Sequence, residues 1–126
     1  MPATEVRVFR DARGAAQVLA WLDNLGQREP VAYAKCLERI LALSEHGHQL
    51  RRPHADYLRD GVYELRARFQ RNQYRMLYFF VGKIAVLSNA CKKPGNQVPK
   101  IEIERAIENR MLAETDLNLH TVTFET

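Results

Sequence analysis

The spacing of apolar residues changes period along this chain, and each change marks an element. Glu5 to Arg10 alternates, with Val6 opposed to Arg7 and Val8 to Phe9, which predicts a short first strand. Asp11 then offers a helix cap, and Ala15, Val18, Leu19, Leu22 and Leu25 recur at helical spacing up to Gly26, a helix-closing signal. Pro30 suits the first turn of a second helix. Its stripe is Ala34, Leu37, Ile40, Leu41 and Leu43, and it stops at His46-Gly47-His48.

The period then drops to two. Leu50 to His54 is a basic stretch broken by Pro53, a loop or edge segment. Asp60-Gly61 is a turn signal, and Val62 to Phe69 alternates cleanly. Tyr63, Leu65, Ala67 and Phe69 point one way, and Val62, Glu64, Arg66 and Arg68 the other. A turn at Arg71-Asn72-Gln73 leads into Tyr74 to Val81, apolar on both faces apart from Arg75, as suits a central strand. Gly82-Lys83 turns into a further strand, Ile84 to Lys93, which Pro94-Gly95-Asn96 breaks. A third helix follows Pro99. The tail from Leu117 to Thr126 contains a β-prone Thr121-Val122-Thr123-Phe124, which adds an edge strand or stays mobile. The expected class is α+β: a small antiparallel sheet with the N-terminal helices packed on one face and a C-terminal helix. Residues 1–116 are expected as one domain and 117–126 as a tail.

Composition narrows the class. At 126 residues, 46% of them hydrophobic, the chain is long enough to bury a core. Its longest apolar run, Met76 to Val81, has strand length and is far short of a membrane span. No secretory signal is expected at the N-terminus. Cys36 and Cys91 lie far apart without a CxxC, so neither a disulfide framework nor a zinc site is expected, and the default is a reduced, cytoplasmic protein.

Charge changes the picture most. Between Arg51 and Lys100 stand eleven Lys and Arg against three acids, a net +8, although the whole chain carries only +4. The same half carries the strands and interleaves Tyr and Phe with the charges. Such a surface is the footprint of a nucleic-acid partner, although a merely solvated basic face has the same composition. Alternation places Arg66 and Arg68 on one side, with Arg75 beside Arg66 on the next strand and Lys92 and Lys93 at the end of the strand after that. If these groups share one open face, they form a self-repelling cluster that calls for an anion. RNA cleavage by the ribose 2′-hydroxyl needs such charge and proton transfer, and no carboxylate cluster suited to two Mg²⁺ ions appears in the basic half. His54, after Arg51-Arg52-Pro53, is the histidine placed to contact substrate or move a proton; the other reading of it is a surface loop residue. His46 and His48 flank a helix-ending glycine, and His120 lies in the tail.

Several blocks combine: Phe9-Arg10-Asp11, Trp21-Leu22-Asp23-Asn24-Leu25, Leu50-Arg51-Arg52-Pro53-His54, Leu58-Arg59-Asp60-Gly61-Val62-Tyr63-Glu64-Leu65-Arg66, Tyr74-Arg75-Met76-Leu77-Tyr78-Phe79, and Lys92-Lys93 before an acidic helix near Pro99. From about Val6 to Met111 this resembles the RelE/HigB-like toxins of bacterial type II toxin–antitoxin systems, in particular the phage-derived HigB-like branch. The resemblance implies a microbial-RNase-like fold and ribosome-dependent cleavage of mRNA in the A site, without metal or other cofactor. It implies neutralisation by a small cognate antitoxin, often a helix-turn-helix protein, with operator DNA bound through that antitoxin. Carried over, Arg66, Arg75, Lys92 and Lys93 contact the scissile phosphate and assist proton transfer, with His54 in the loop where a functional histidine stands. Arg51, Arg52, Arg59, Arg68, Arg71 and Tyr74 become contacts to RNA or the ribosome. Ile103 stands where the family places a base-stacking tyrosine, and Ala90-Cys91 precedes the lysine pair where a Phe is common. Tyr57, Tyr74 and His54 are the candidate replacements. The alternative to an endoribonuclease is a weak or inactive module that binds RNA, ribosomes or an antitoxin.

Overall fold

The computed structural model describes residues 4–125; residues 1–3 and 126, at the ends of the expected domain and tail, lie outside them. The elements are β1 (Val6–Phe9), α1 (Gln17–Arg28), α2 (Pro30–His46), β2 (Ala55–Arg59), β3 (Val62–Phe69), β4 (Asn72–Val81), β5 (Ile84–Pro94), α3 (Lys100–Thr115), α4 (Leu117–His120) and β6 (Thr121–Thr123). This is the expected α+β class.

Six strands form one sheet in the order β2-β3-β4-β5-β1-β6. The meander β2 to β5 is antiparallel, built by tight turns as the alternation predicted. One pairing differs: β1 lies parallel to β5, with Val8 opposite Leu87. The chain leaves β1 through two helices and returns at the far edge, so β1's long-range partner has no local signature. The tail takes the edge-strand option, with Val122 of β6 antiparallel to Val8. Asp116 caps the short α4 before it, accepting from the Leu119 amide at 3.1 Å.

Two apolar layers sandwich the sheet. On one face α1 and α2 bury Val18, Leu22, Leu25, Ala32, Cys36, Ile40 and Leu43 against Leu65, Met76, Tyr78 and Leu87. α3 covers the opposite face, where Ala106 meets Val62 and Leu77, and Ala113 meets Phe79 and Val86. β4 is therefore buried on both sides, as its continuous apolar run requires.

Local details depart from the pattern for identifiable reasons. α1 runs through Gly26 to Arg28, because that glycine lies under the Tyr33 ring of α2, 3.5 Å from where a Cβ would stand. Asp11 caps a turn instead of a helix, its Oδ1 accepting from the Arg13 and Ala15 amides at 2.8 and 3.0 Å. Leu41 of α2 is exposed, since the buried stripe runs Ala32-Cys36-Ile40-Leu43. The turn into β4 is Gln70-Arg71, and the strand already begins at Asn72.

The β2–β3 hairpin turns on Asp60 and Gly61, both at positive φ (51° and 80°). That is the geometry for which Asp-Gly is selected. The Arg110 guanidinium of α3 closes over this turn and donates to the Asp60 carbonyl at 2.6 Å, filling the space a Cβ on Gly61 would need. Gly61→Ala should therefore cost about 1–2 kcal/mol from backbone strain alone, a fall of roughly 3–8 °C in a thermal melt. An unchanged melt would contradict this account of the turn.

Candidate functional site

The registers of β3, β4 and β5 place the basic residues in rows on the α3 face. Arg66 lies opposite Arg75 and Arg75 opposite Cys91; the next row is Arg68, Gln73 and Lys93. One row inward, Glu64 lies opposite Leu77 and Leu77 opposite Asn89. α3 covers the Glu64 row through Ala106 and Ile103. The loop after β5 reaches the arginine row, where Arg75 Nη2 donates to the Gly95 carbonyl at 2.9 Å. The Arg68 row is exposed at Arg68 and Lys93.

Arg75 is fully buried, which corrects the expectation of an open cluster. Its Nε stands 3.6 Å from Glu64 Oε1, and Arg66 Nε stands 3.4 Å from the same oxygen. Both are ion pairs longer than good hydrogen bonds, and Arg75 Nε and Nη1, Arg66 Nε and Glu64 Oε1 have no hydrogen-bond partner. Burial pushes the Glu64 carboxyl above its ordinary range, against the pull of both guanidiniums. Arg75 therefore cannot touch a substrate in this conformation. Glu64 lies between it and Arg66, whose side chain is about a quarter (27%) exposed.

Arg66 opens into a groove of about 300 Å³ at the free end of β3, lined by Arg39, Pro53, His54, Arg66, Arg68 and Gln73. Three guanidiniums and one imidazole line it, with no carboxylate. His54 is fixed there because its carbonyl accepts from the Arg66 amide at 2.8 Å, prolonging the β2–β3 ladder. Arg39 arrives from α2, its Nε donating to the Arg66 carbonyl at 2.9 Å. Crowded like charges of this kind are stabilised by an anion, and arginine forks match phosphate oxygens.

Lys92 is not part of this arrangement. Adjacent strand residues face opposite ways, so Lys92 and Lys93 divide between the two faces. Lys92 lies opposite Tyr74 on the α1/α2 face, its Nζ 3.0 Å from Glu29 Oε2 and 5.6 Å from the Tyr74 ring centre. The Tyr74 hydroxyl donates to Glu29 Oε1 at 2.6 Å, and the residue is buried, so it offers no surface to RNA. Burial, with Glu29 beside it, pushes the Tyr74 phenol up to about 12. The four-residue phosphate site expected from the sequence thus loses Lys92, and Tyr74 becomes a tie between the sheet and the α1–α2 joint.

The other basic candidates are scattered. Arg51 Nη1 donates to the His48 carbonyl and to the Leu50 carbonyl, the latter at 2.9 Å. Arg52 pairs with Asp56 and Arg59 with Asp60, each at 2.7 Å. Arg71 sits exposed at the β3–β4 turn, the same end as Arg68 and Lys93. Ile103, on α3, is half-buried and packs against Val62 and Leu77. Among the described residues no three His, Cys, Asp or Glu side chains form a metal-binding group, and no helix is long and apolar enough to cross a membrane.

Comparison with family models matches residues 20–111 to the phage-derived Gp49-like proteins (DUF891). The chain belongs to the Gp49-like family. That family includes toxins of toxin–antitoxin systems. No curated protein matches the chain. The matched span runs from α1 into α3, so it holds every residue of the groove and the Glu64–Arg66–Arg75 cluster, and leaves out β1 and β6.

Two members of this arrangement were not marked out as site residues by the sequence pattern of this Gp49-like protein. Glu64 was visible as the acid alternating with Arg66, but nothing local told that α3 would bury it. Arg39 carried no signal at all, because its helical position says nothing about which strand end it overhangs. The Glu29 tie can be tested through pH. Its carboxyl is held below the ordinary 4.5 by the Tyr74 hydroxyl and then by Lys92. A lowered folded-state pKa contributes stability above the unfolded value and loses it as pH falls. Glu29→Gln should lower stability near neutral pH by about 1–2 kcal/mol. In melts at several pH values that deficit should shrink progressively as pH falls below about 4.5; a deficit that stays constant down the acid range would refute the tie.

Proposed function

We propose that this Gp49-like protein is the toxin of a toxin–antitoxin pair and that it cuts mRNA on the ribosome. The observation that carries the proposal is the groove of Arg39, His54, Arg66 and Arg68, a cationic site without a carboxylate on its wall. A phosphodiester in this groove would meet guanidiniums suited to the charge of a phosphorane-like transition state. The RNA's own 2′-hydroxyl attacks phosphorus while the bond to the 5′-oxygen breaks. The products are a 2′,3′-cyclic phosphate and a 5′-hydroxyl. One proton leaves the nucleophile and one reaches the leaving oxygen, and His54 is the imidazole in the groove that would transfer them. The reaction consumes no cofactor.

In this proposal Arg66 and Arg68 bind the scissile phosphate, Arg75 and Glu64 position Arg66, and Arg71 and Lys93 extend the cationic surface toward neighbouring phosphates or ribosomal RNA. Arg51, Arg52 and Arg59 are left as peripheral contacts. A cognate antitoxin would silence the protein and bind operator DNA on behalf of the pair. A binder that does not cut is the second reading, favoured by one observation: Arg75 is closed off beneath Gly95.

Primer extension on messages translated in the presence of the protein separates the two. Cleavage gives defined new 5′ ends; a pure binder gives none. Arg66→Ala and Arg68→Ala should each weaken cutting roughly 10- to 150-fold, the worth of one charge-assisted hydrogen bond. Each should also lower the salt slope of single-stranded RNA binding by about 0.7. Full cutting by Arg66→Ala would end the assignment of the groove.

A further inference from the structure

β5 breaks its alternation once. Leu77 of β4 lies opposite Asn89 and Tyr78 opposite Leu87, so Ser88 is an extra residue without a partner across the ladder. This β-bulge turns two neighbouring polar side chains toward α3. Ser88 Oγ accepts from Asn109 Nδ2 at 3.0 Å, and Asn89 Nδ2 donates to the Glu102 carbonyl and to its Oε1 at 3.1 and 2.8 Å. The other end of the Asn89 amide is unspent. Asn89 is fully buried, and its Oδ1 has no hydrogen-bond partner. A buried acceptor left open in this way calls for a donor.

Ser88 and Asn89 form the floor of a cavity of about 500 Å³ between α3 and the start of α1. β1 ends at Phe9 while β5 runs on to Pro94, and Gln17 of α1 stands where the next strand residue would pair. Its side-chain amide accepts from the Ala90 N–H at 2.7 Å and donates to the Ala90 carbonyl at 3.0 Å. Phe9, Ala15, Ala16 and Ala20 give the cavity an apolar wall of mostly small side chains.

Two charges of opposite sign complete the lining. Asp11, on the loop before α1, accepts from the Arg13 and Ala15 amides through Oδ1, which leaves Oδ2 over. Hydrogen bonds from the Ala15 and Arg13 amides hold its carboxyl below the ordinary range, so it is charged at neutral pH. Arg105, on α3, is half exposed, and only its Nη1 is engaged, at 3.4 and 3.3 Å from the Glu102 carboxylate. A simple anion in the cavity would meet Asp11, and a simple cation would meet Arg105. A zwitterion with an apolar body suits both walls and the open acceptor on the floor.

We propose that this cavity binds a free α-amino acid with a large apolar side chain. The ammonium group donates to Asn89 Oδ1 and is drawn by Asp11, the carboxylate takes the Arg105 fork, and the side chain lies against the alanine wall. The site is separate from the cationic groove, with Asn89 on β5 and Arg66 on β3, and does not rest on the RNA reading. Phe9, Asp11, Ala15 and Ala16 also lie outside the span matched by the family model.

The test is calorimetric titration of the full chain with three compounds: L-phenylalanine, L-phenylalaninamide, which lacks the carboxylate, and N-acetyl-L-phenylalanine, which lacks the ammonium group. L-phenylalanine should bind, and each analogue should bind about 10- to 150-fold more weakly, the worth of one charge-assisted hydrogen bond. Arg105→Gln should weaken L-phenylalanine by a similar factor and erase its advantage over the amide. Asp11→Asn, which keeps the Oδ1 that caps the turn, should reduce the advantage over the N-acetyl compound. Both residues are exposed, so both variants should fold. Equal affinity for the three compounds, undiminished binding of L-phenylalanine by Arg105→Gln, or no binding by the wild-type protein at millimolar concentration would overturn the site.

Discussion

A buried guanidinium sets the terms for this molecule. Arg75 lies at the middle of the central strand with no exposed surface, in a sheet packed on both sides. An isolated charge in such a place is far too costly to persist, and the fold answers it with Glu64 on one side and the Gly95 carbonyl on the other. The answer is incomplete, since two of its nitrogens remain without hydrogen bonds. Glu64 is shared with Arg66, so the buried pair aims a second arginine outward into the groove. One carboxylate therefore faces both the buried arginine and the arginine of the groove.

Strand parity does the rest. Because successive side chains alternate, the basic residues of the meander cannot act as one patch. Arg66, Arg68 and Lys93 fall on the α3 face, whereas Lys92 falls on the other and is spent on Glu29. The same parity puts Tyr57 and Tyr63 on the face opposite the arginines, with Tyr57 exposed on the edge strand and Tyr63 half-buried against the core.

Much of this was legible beforehand. The alternation of Val62 to Phe69, the Asp-Gly turn and the double-sided apolar run after Tyr74 placed Arg75 beside Arg66, and the register bears that out. Burial depth was not legible, because it depends on α3 and the Gly95 loop, which are distant in sequence from the strand they cover. Nor was the parallel β1–β5 pair, or the arrival of Arg39 from α2, since both follow from packing between remote segments. The Lys92-Lys93 doublet misled for a simpler reason: a pair adjacent in sequence is split by any strand that contains it.

The central claim is that Arg66 and Arg68, in the groove they share with Arg39, hold an RNA phosphate. Titrating an uncleavable single-stranded RNA while following the arginine Nε–H signals by NMR tests it most directly. The account predicts that these three signals move together at one affinity, while the buried Arg75 signal shifts little and the Lys92 ammonium keeps its pairing. Movement confined to other arginines, with these three unchanged, would contradict it.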